Sequence, residues 1–298
     1  MPMFSHLPRA PLERLRLPWL AQARIDCAIL RLDLIDPLIS GNKGFKLQEP
    51  LRLARATGAP GLISLGGNHS NHLHALAAAG RRFGFATAGL LRGHPQDTPT
   101  VRDLQAFGMH LHWLGYAGYR ARHQADFWQP WQDRYPGWHC IAEGGAGEQG
   151  MAGCALIVEQ ARGQLAQIGW PDYHAWWLAV GSGTTLAGLV RAEQGAHPVH
   201  GALALPADHG VAQTVQALVG GAGYHLHDAC RGGFARVDDA LLAFIEASER
   251  ASQVPLEAVY TGKALLALRE QVEAGRFAPG TRLIFVHTGG LQGRRGYV

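Results

Sequence analysis

Lys43 lies in the string Ser40-Gly41-Asn42-Lys43-Gly44-Phe45-Lys46-Leu47, where the flanking glycines let the backbone come close to a planar ligand. Lysine and arginine together number 27, yet only Lys43, Lys46 and Lys263 are lysines. Arginine fills nearly every place where a generic positive charge would serve. A guanidinium cannot lose its proton in a protein and so cannot act as an amine nucleophile or base, whereas an ammonium with a lowered pKa can. The three lysines therefore mark places where guanidinium fails. Lys43 precedes a helix predicted over 45–57, whose positive end disfavours an ammonium and helps keep the amine neutral. Lys46, one turn on, adds positive charge nearby.

Four further segments carry polar groups in useful places. Leu65-Gly66-Gly67-Asn68-His69-Ser70-Asn71-His72 leaves a predicted strand and opens an alanine-rich helix, so its backbone N–H groups can hold a carboxylate beside the Ser70 hydroxyl and the Asn71 amide. Ser and Asn are also ordinary N-caps. Val180-Gly181-Ser182-Gly183-Thr184-Thr185 joins a buried strand to a helix and makes a phosphate cradle of amides and hydroxyls. It lacks the Walker ending and the dinucleotide glycine spacing, so the phosphate need not belong to a nucleotide. Val259-Tyr260-Thr261-Gly262-Lys263 and His287-Thr288-Gly289-Gly290 come last: Tyr260 could transfer a proton, and a threonine could meet a neutral pyridine nitrogen. Together the segments describe one ligand, with an aldehyde for Lys43, a phosphate for Gly181 to Thr185 and a carboxylate for Ser70 to His72.

The elements that must position these groups alternate. Strands are predicted at 27–32, 61–65, 86–91, 110–113, 176–180, 201–205 and 283–286, several of them continuous apolar runs suited to burial on both faces. Helices are predicted at 45–57, 70–83, 100–107, 150–168, 185–194, 211–219, 238–252 and 262–274. This alternation implies parallel sheets covered by helices, with ligands outside the carboxyl ends of the strands. The glycine-rich segment at 142–150 reads as a seam between two sheet systems. With 298 residues, 47% hydrophobic and 17% charged, the chain can bury a large core. Its formal charge of +4 is dispersed, which argues against nucleic-acid binding. Cys27, Cys140, Cys154 and Cys230 form no C-x-x-C pair, so neither a zinc site nor a disulfide framework is expected, and no metal. Residues 1–20 carry no apolar leader and no stretch approaches the roughly 18 apolar residues of a membrane span, so a soluble cytoplasmic protein is expected.

On the strings Gly-Asn-Lys-x-x-Lys-Leu, Ser-Asn-His, Gly-Ser-Gly-x-Thr, Tyr-Thr-Gly-Lys and His-Thr-Gly-Gly, the chain resembles the D-cysteine desulfhydrase and 1-aminocyclopropane-1-carboxylate deaminase group of pyridoxal 5′-phosphate (PLP) enzymes. The strings stand in that family's order, and the likeness runs from about residue 12 onward. It implies an α/β fold of two open, twisted, mainly parallel sheets flanked by helices (tryptophan synthase β-like, PLP fold type II). A large PLP-binding domain of 1–45 plus 152–298 would carry a small domain of 46–151. It implies Lys43 as the internal imine and the acid/base at the substrate α-carbon, with Asn71 on the phenolic oxygen and Ser70 and His72 on the substrate carboxylate. Gly181, Ser182, Gly183, Thr184 and Thr185 would bind the phosphate, Tyr260 would line the substrate pocket, and Thr261 with Thr288 would lie near the pyridine ring.

The departures bear on substrate. His69 stands where the family usually has Gln, and Phe234 replaces a second pocket tyrosine of the ring-opening deaminases. Thr261 stands where those deaminases carry a Glu that strengthens the electron sink. His69 bears on substrate preference, whereas Thr261 and Phe234 disfavour opening a cyclopropane and leave β-elimination of a thiolate open. The expectation is thus a PLP-dependent lyase that converts D-cysteine or a related small amino acid to pyruvate, ammonia and sulfide, as a homodimer. The alternatives are a cyclopropane deaminase, a racemase or dehydratase, and a PLP-binding protein without turnover. At Leu32-Asp33 the family tends to show Arg-Asp, a difference with no mechanistic reading from sequence.

Overall fold

Apolar runs with glycine-rich exits become the inner strands of two sheets in the computed structural model, which describes residues 8–296. The strands are β1 (Leu12–Arg14), β2 (Asp26–Arg31), β3 (Gly61–Gly66), β4 (Ala86–Leu91), β5 (His110–Trp113), β6 (His139–Cys140), β7 (Ala175–Val180), β8 (Val199–Leu203), β9 (Tyr224–Asp228) and β10 (Arg282–His287). One sheet has the order β1-β2-β10-β7-β8-β9 and is parallel except for β1. The other has the order β5-β4-β3-β6 and is parallel throughout. The last strand of the chain thus lies inside the larger sheet, between β2 and β7.

Helices cover the sheets: α1 (Pro18–Gln22), α2 (Asn42–Ala56), α3 (Asn71–Phe83), α4 (Pro99–Ala106), α5 (Gly115–Arg120), α6 (Gln129–Arg134), α7 (Glu148–Arg162), α8 (Thr184–Glu193), α9 (Val211–Val219), α10 (Asp239–Ser252) and α11 (Thr261–Glu273). Side chains alternate between the two faces of the larger sheet, as strand geometry requires. Leu30, Trp176, Leu178 and Ile284 enter one core, while Ile29, Trp177, Leu283 and Phe285 enter the other. Both tryptophans are fully buried, and each indole N–H finds an acceptor: Trp176 donates to Glu193 Oε1 at 2.7 Å and Trp177 to the Ala264 carbonyl at 2.8 Å.

The seven expected strands and eight expected helices form, with ends shifted by a few residues. The helix expected over 150–168 stops at Arg162, after which the chain continues through Gly163 into a short 3-10 turn at Leu165–Ile168. Three strands were not expected, β1, β6 and β9, and each is a sheet edge. Helix α2 begins at Asn42 rather than at 45, so Lys43 sits in its first turn and not in a loop ahead of it. The division into 1–45 plus 152–298 and 46–151 remains a proposal, and both of its seams fall inside helices, α2 and α7. Along α2, Phe45 packs in the core of the larger sheet, whereas Leu47 and Leu51 pack in that of the smaller one.

Candidate active site

The start of α2 is docked onto the end of β10. The Asn42 N–H donates to the Thr288 carbonyl at 3.1 Å, and the Gly41 N–H donates to the Leu32 carbonyl at 3.0 Å. Gly41 has φ +68°, and a Cβ there would lie 2.1 Å from the Thr288 oxygen, so this junction admits only glycine. The same helix start reaches the phosphate-type turn. Asn42 Nδ2 donates to Thr185 Oγ1 at 2.9 Å, and Lys46 Nζ donates to Ser182 Oγ and to the Gly144 carbonyl, both at 3.0 Å. Ser182 Oγ in turn lies 3.1 Å from Thr184 Oγ1. Gly183 caps α8 with φ +80°, and a Cβ there would strike Val215 at 2.5 Å. Lys43 and Lys46 are close enough for each to perturb the other's amine.

Neighbouring amines disfavour each other's charge. Desolvation first, and the neighbouring Lys46 second, hold Lys43 well below the ordinary ammonium range. Lys46 is also lowered by burial. The macrodipole argued from sequence acts in the same direction, but burial is the larger cause.

Helix α3 opens opposite. Ser70 is its N-cap, with Oγ accepting the Leu73 N–H at 3.2 Å. Asn71 Oδ1 accepts from Gln292 Nε2 at 2.9 Å, and its Nδ2 packs over Gly290, which brings Asn71 to the segment that follows Thr288. His69 is exposed on the turn before α3, against Gly296. The His72 ring is buried, and the Ser64 hydroxyl donates to the Ile141 carbonyl at 2.8 Å, so Ser64 Oγ must accept from His72 Nε2–H at 2.9 Å. Burial, and then Lys43 and Lys46, push the His72 pKa well down. Nδ1 presents a lone pair that has no partner among the described residues. With Nε2 engaged by Ser64, backbone N–H groups of the first turn, His72's among them, also offer contacts to an anion.

Tyr260 lies over Gly181, whose hypothetical Cβ would meet its ring at 3.2 Å, and Phe234 meets Tyr260 edge-on with centroids 6.0 Å apart. These residues meet beside the phosphate-type turn. Thr261 is fully buried, and its hydroxyl accepts the Glu257 N–H at 2.9 Å, so it closes its own turn. Its expected place near the pyridine ring remains a proposal. Sequence reasoning missed Glu257, whose buried carboxylate accepts the N–H groups of Val259, Tyr260 and Thr261 and anchors the start of α11. Its pKa is raised by burial, against those three donors. No capping-box spacing marks it.

Also missed was a buried network beside the segment that leads into α2. Arg31 grips Asp33 with Nε and Nη2 at 2.9 and 2.7 Å, and His287 Nδ1 lies 3.2 Å from Asp33 Oδ1 while its Nε2 donates to the Pro255 carbonyl at 2.7 Å. Arg31 and Asp33 thus give a structural reading to the segment around Leu32 that sequence could not interpret. Among the described residues no group of three or more His, Cys, Asp or Glu could hold a metal ion, and no helix is long and apolar enough to cross a membrane.

A neutral-prone amine, a hydroxyl and amide cradle backed by a buried lysine, and a helix start for a carboxylate are the parts that PLP and an amino acid require, so the residues present fit that cofactor. The profile of the pyridoxal-phosphate-dependent enzymes matches residues 6–289, and the chain belongs to that family, with PLP as its cofactor. Over 295 residues it is 26% identical to a Pyrococcus furiosus protein provisionally named 1-aminocyclopropane-1-carboxylate deaminase, across 90% of this chain and 85% of the relative. Over 318 residues it is 27% identical to a mitochondrial Arabidopsis thaliana protein named bifunctional D-cysteine desulfhydrase/1-aminocyclopropane-1-carboxylate deaminase, across 97% and 78%. The crystal structure of an ACC deaminase homologue superposes with a TM-score of 0.81 at 23% identity, covering 96% of this chain and 91% of that one, which shows the fold.

Proposed function

We propose that this enzyme deaminates a small amino acid by α,β-elimination, with D-cysteine and water giving pyruvate, ammonia and hydrogen sulfide. The observation that carries the reading is the nearness of the Lys43 amine, its pKa pulled well down by desolvation and then by Lys46, to the Lys46–Ser182 cradle. PLP, when bound, supplies the electron sink for charge left at the α-carbon. Lys43 is the amine that holds the cofactor aldehyde and the base that takes the α-proton. Lys46 and the 181–185 turn hold the phosphate. The first-turn N–H groups of α3, with the Ser70 hydroxyl, hold the substrate carboxylate. Tyr260 closes the side-chain end of the pocket and is placed to carry a proton to the leaving group.

A second reading, opening of 1-aminocyclopropane-1-carboxylate to 2-oxobutanoate and ammonia, is favoured by the names of both full-length relatives. Against it stands Thr261, whose hydroxyl is engaged with Glu257 and which offers no carboxylate. A panel of D- and L-amino acids plus the cyclopropane substrate, scored for ammonia and keto acid, decides between the two. Sulfide and pyruvate from D-cysteine support the first reading, and 2-oxobutanoate from the cyclopropane supports the second. Lys43→Ala should abolish both the violet absorbance of bound cofactor and all turnover. Retention of that band in Lys43→Ala would refute the assignment.

A further inference from the structure

Lys263 is the one lysine that the proposed chemistry does not use. It is 1% exposed, in the first turn of α11, three residues beyond Tyr260. Its Nζ donates to the Cys230 carbonyl at 2.8 Å and to the Gly233 carbonyl at 3.1 Å. Those two carbonyls begin two successive turns: the Gly233 N–H donates to Cys230 O at 3.4 Å, and the Arg236 N–H donates to Gly233 O at 3.2 Å. One ammonium therefore pins both turns of the loop that carries Phe234. An ammonium suits this place because it is compact and aims its donors in diverging directions, whereas a guanidinium presents a larger planar fork.

The loop needs pinning. Arg231 and Ala235 both adopt positive φ, at 53° and 58°, a conformation that residues with side chains rarely keep unless their surroundings enforce it. Arg231 is tied from outside by Asp238, with Nε to Oδ2 at 2.9 Å, and Lys263 ties the loop from inside. At its tip Phe234, 45% exposed, leans on Tyr260, which covers Gly181. A large apolar ring held half in solvent at the mouth of a site is placed to limit what enters.

We propose that Lys263 is a positioning residue that, by pinning the 230–236 loop, fixes Phe234 against Tyr260 and so sets the size of side chain the site accepts. The proposal rests on the reading of Tyr260 as a wall of the substrate pocket. The test uses the PLP-loaded enzyme and Lys263→Met, which keeps length and removes the donors. Two quantities are measured: the rate of tryptic cleavage after Arg231 and Arg236, and the ratio of dissociation constants for phenylalanine and alanine of the accepted enantiomer, read from the change in the violet band.

Cleavage should be faster in Lys263→Met by about tenfold, and the preference for alanine should fall by about tenfold, the scale on which an apolar pocket discriminates size. Faster cleavage with unchanged preference would make Lys263 a purely structural tether and overturn the proposal, as would no change in either. Should Lys263→Met fail to fold, Phe234→Ala at the exposed tip must lose the same preference, and an unchanged ratio there also overturns it. A wild-type protein without the violet band would instead be a failure of the functional reading. That outcome is recognisable because it needs no variant, and it would take this proposal with it.

Discussion

The uncharged tendency of Lys43 has a thermodynamic signature in the cofactor-free protein. Its folded pKa lies well below the ordinary value of 10.5, so across that interval the unfolded chain binds a proton that the folded chain refuses. The stability contributed by this group is therefore present above the ordinary value and lost as pH falls toward the depressed one. Lys43→Met should flatten the rise of Tm with pH on the acid side of 10.5 and raise Tm below that interval by on the order of 2 °C, as thermal scans of the cofactor-free protein would show. Lys46 makes a different forecast. Because its Nζ reaches Ser182 in the cradle, Lys46→Ala should keep the violet band while weakening PLP about ten- to a hundredfold, measured by titration of cofactor into the stripped protein. The amine chemistry was legible because lysine is so rare in this chain. The protonation of His72 was not, since it is decided by Ser64 and Ile141, eight and sixty-nine residues away along the chain.

At the scale of elements, α7 is what joins the lysine helix to the cradle helix. A Cβ on Gly153 of α7 would lie 1.9 Å from the Phe45 carbonyl of α2, and one on Gly188 of α8 would lie 2.5 Å from Cys154 Cβ of α7. Backbones that approach this closely leave no room for a methyl group. Gly153→Ala should cost about 1–3 kcal/mol and, by pushing α2 off, loosen the Lys46–Ser182 contact as well. Chemical denaturation together with the cofactor titration would separate the two effects. Unchanged values of both would show that α2 and α7 can slide apart freely. The inner strands announced themselves as apolar runs because they are covered on both faces. Edge strands do not need that covering: in β9, Tyr224-His225-Leu226-His227-Asp228 interleaves polar residues, and β1 and β6 are only three and two residues long. Their sequences therefore lacked the signal that betrayed the rest.

Over the whole molecule, the buried Arg31–Asp33–His287 network binds the end of β2 to the end of β10 beneath the start of α2. Asp33→Asn leaves the largely buried Arg31 guanidinium with only the half-exposed Glu13, 3.6 Å away, as counter-ion; losing a buried partner typically costs up to about 3–5 kcal/mol, and Tm should drop accordingly. A loss near zero would mean that water already reaches Arg31. The two-sheet architecture was readable from alternating elements, whereas this network links residues more than 250 positions apart, beyond the reach of local pattern. The interior position of β10 carries a consequence for how the protein is made. Until residues 282–287 have left the ribosome, β2 and β7 have no neighbour between them, and Lys43 has no Thr288 carbonyl on which its helix can seat. Loading with cofactor must therefore wait until residues 282–288 have emerged, and a chain stopped short at residue 281 should be an empty, protease-sensitive product rather than a weakened enzyme.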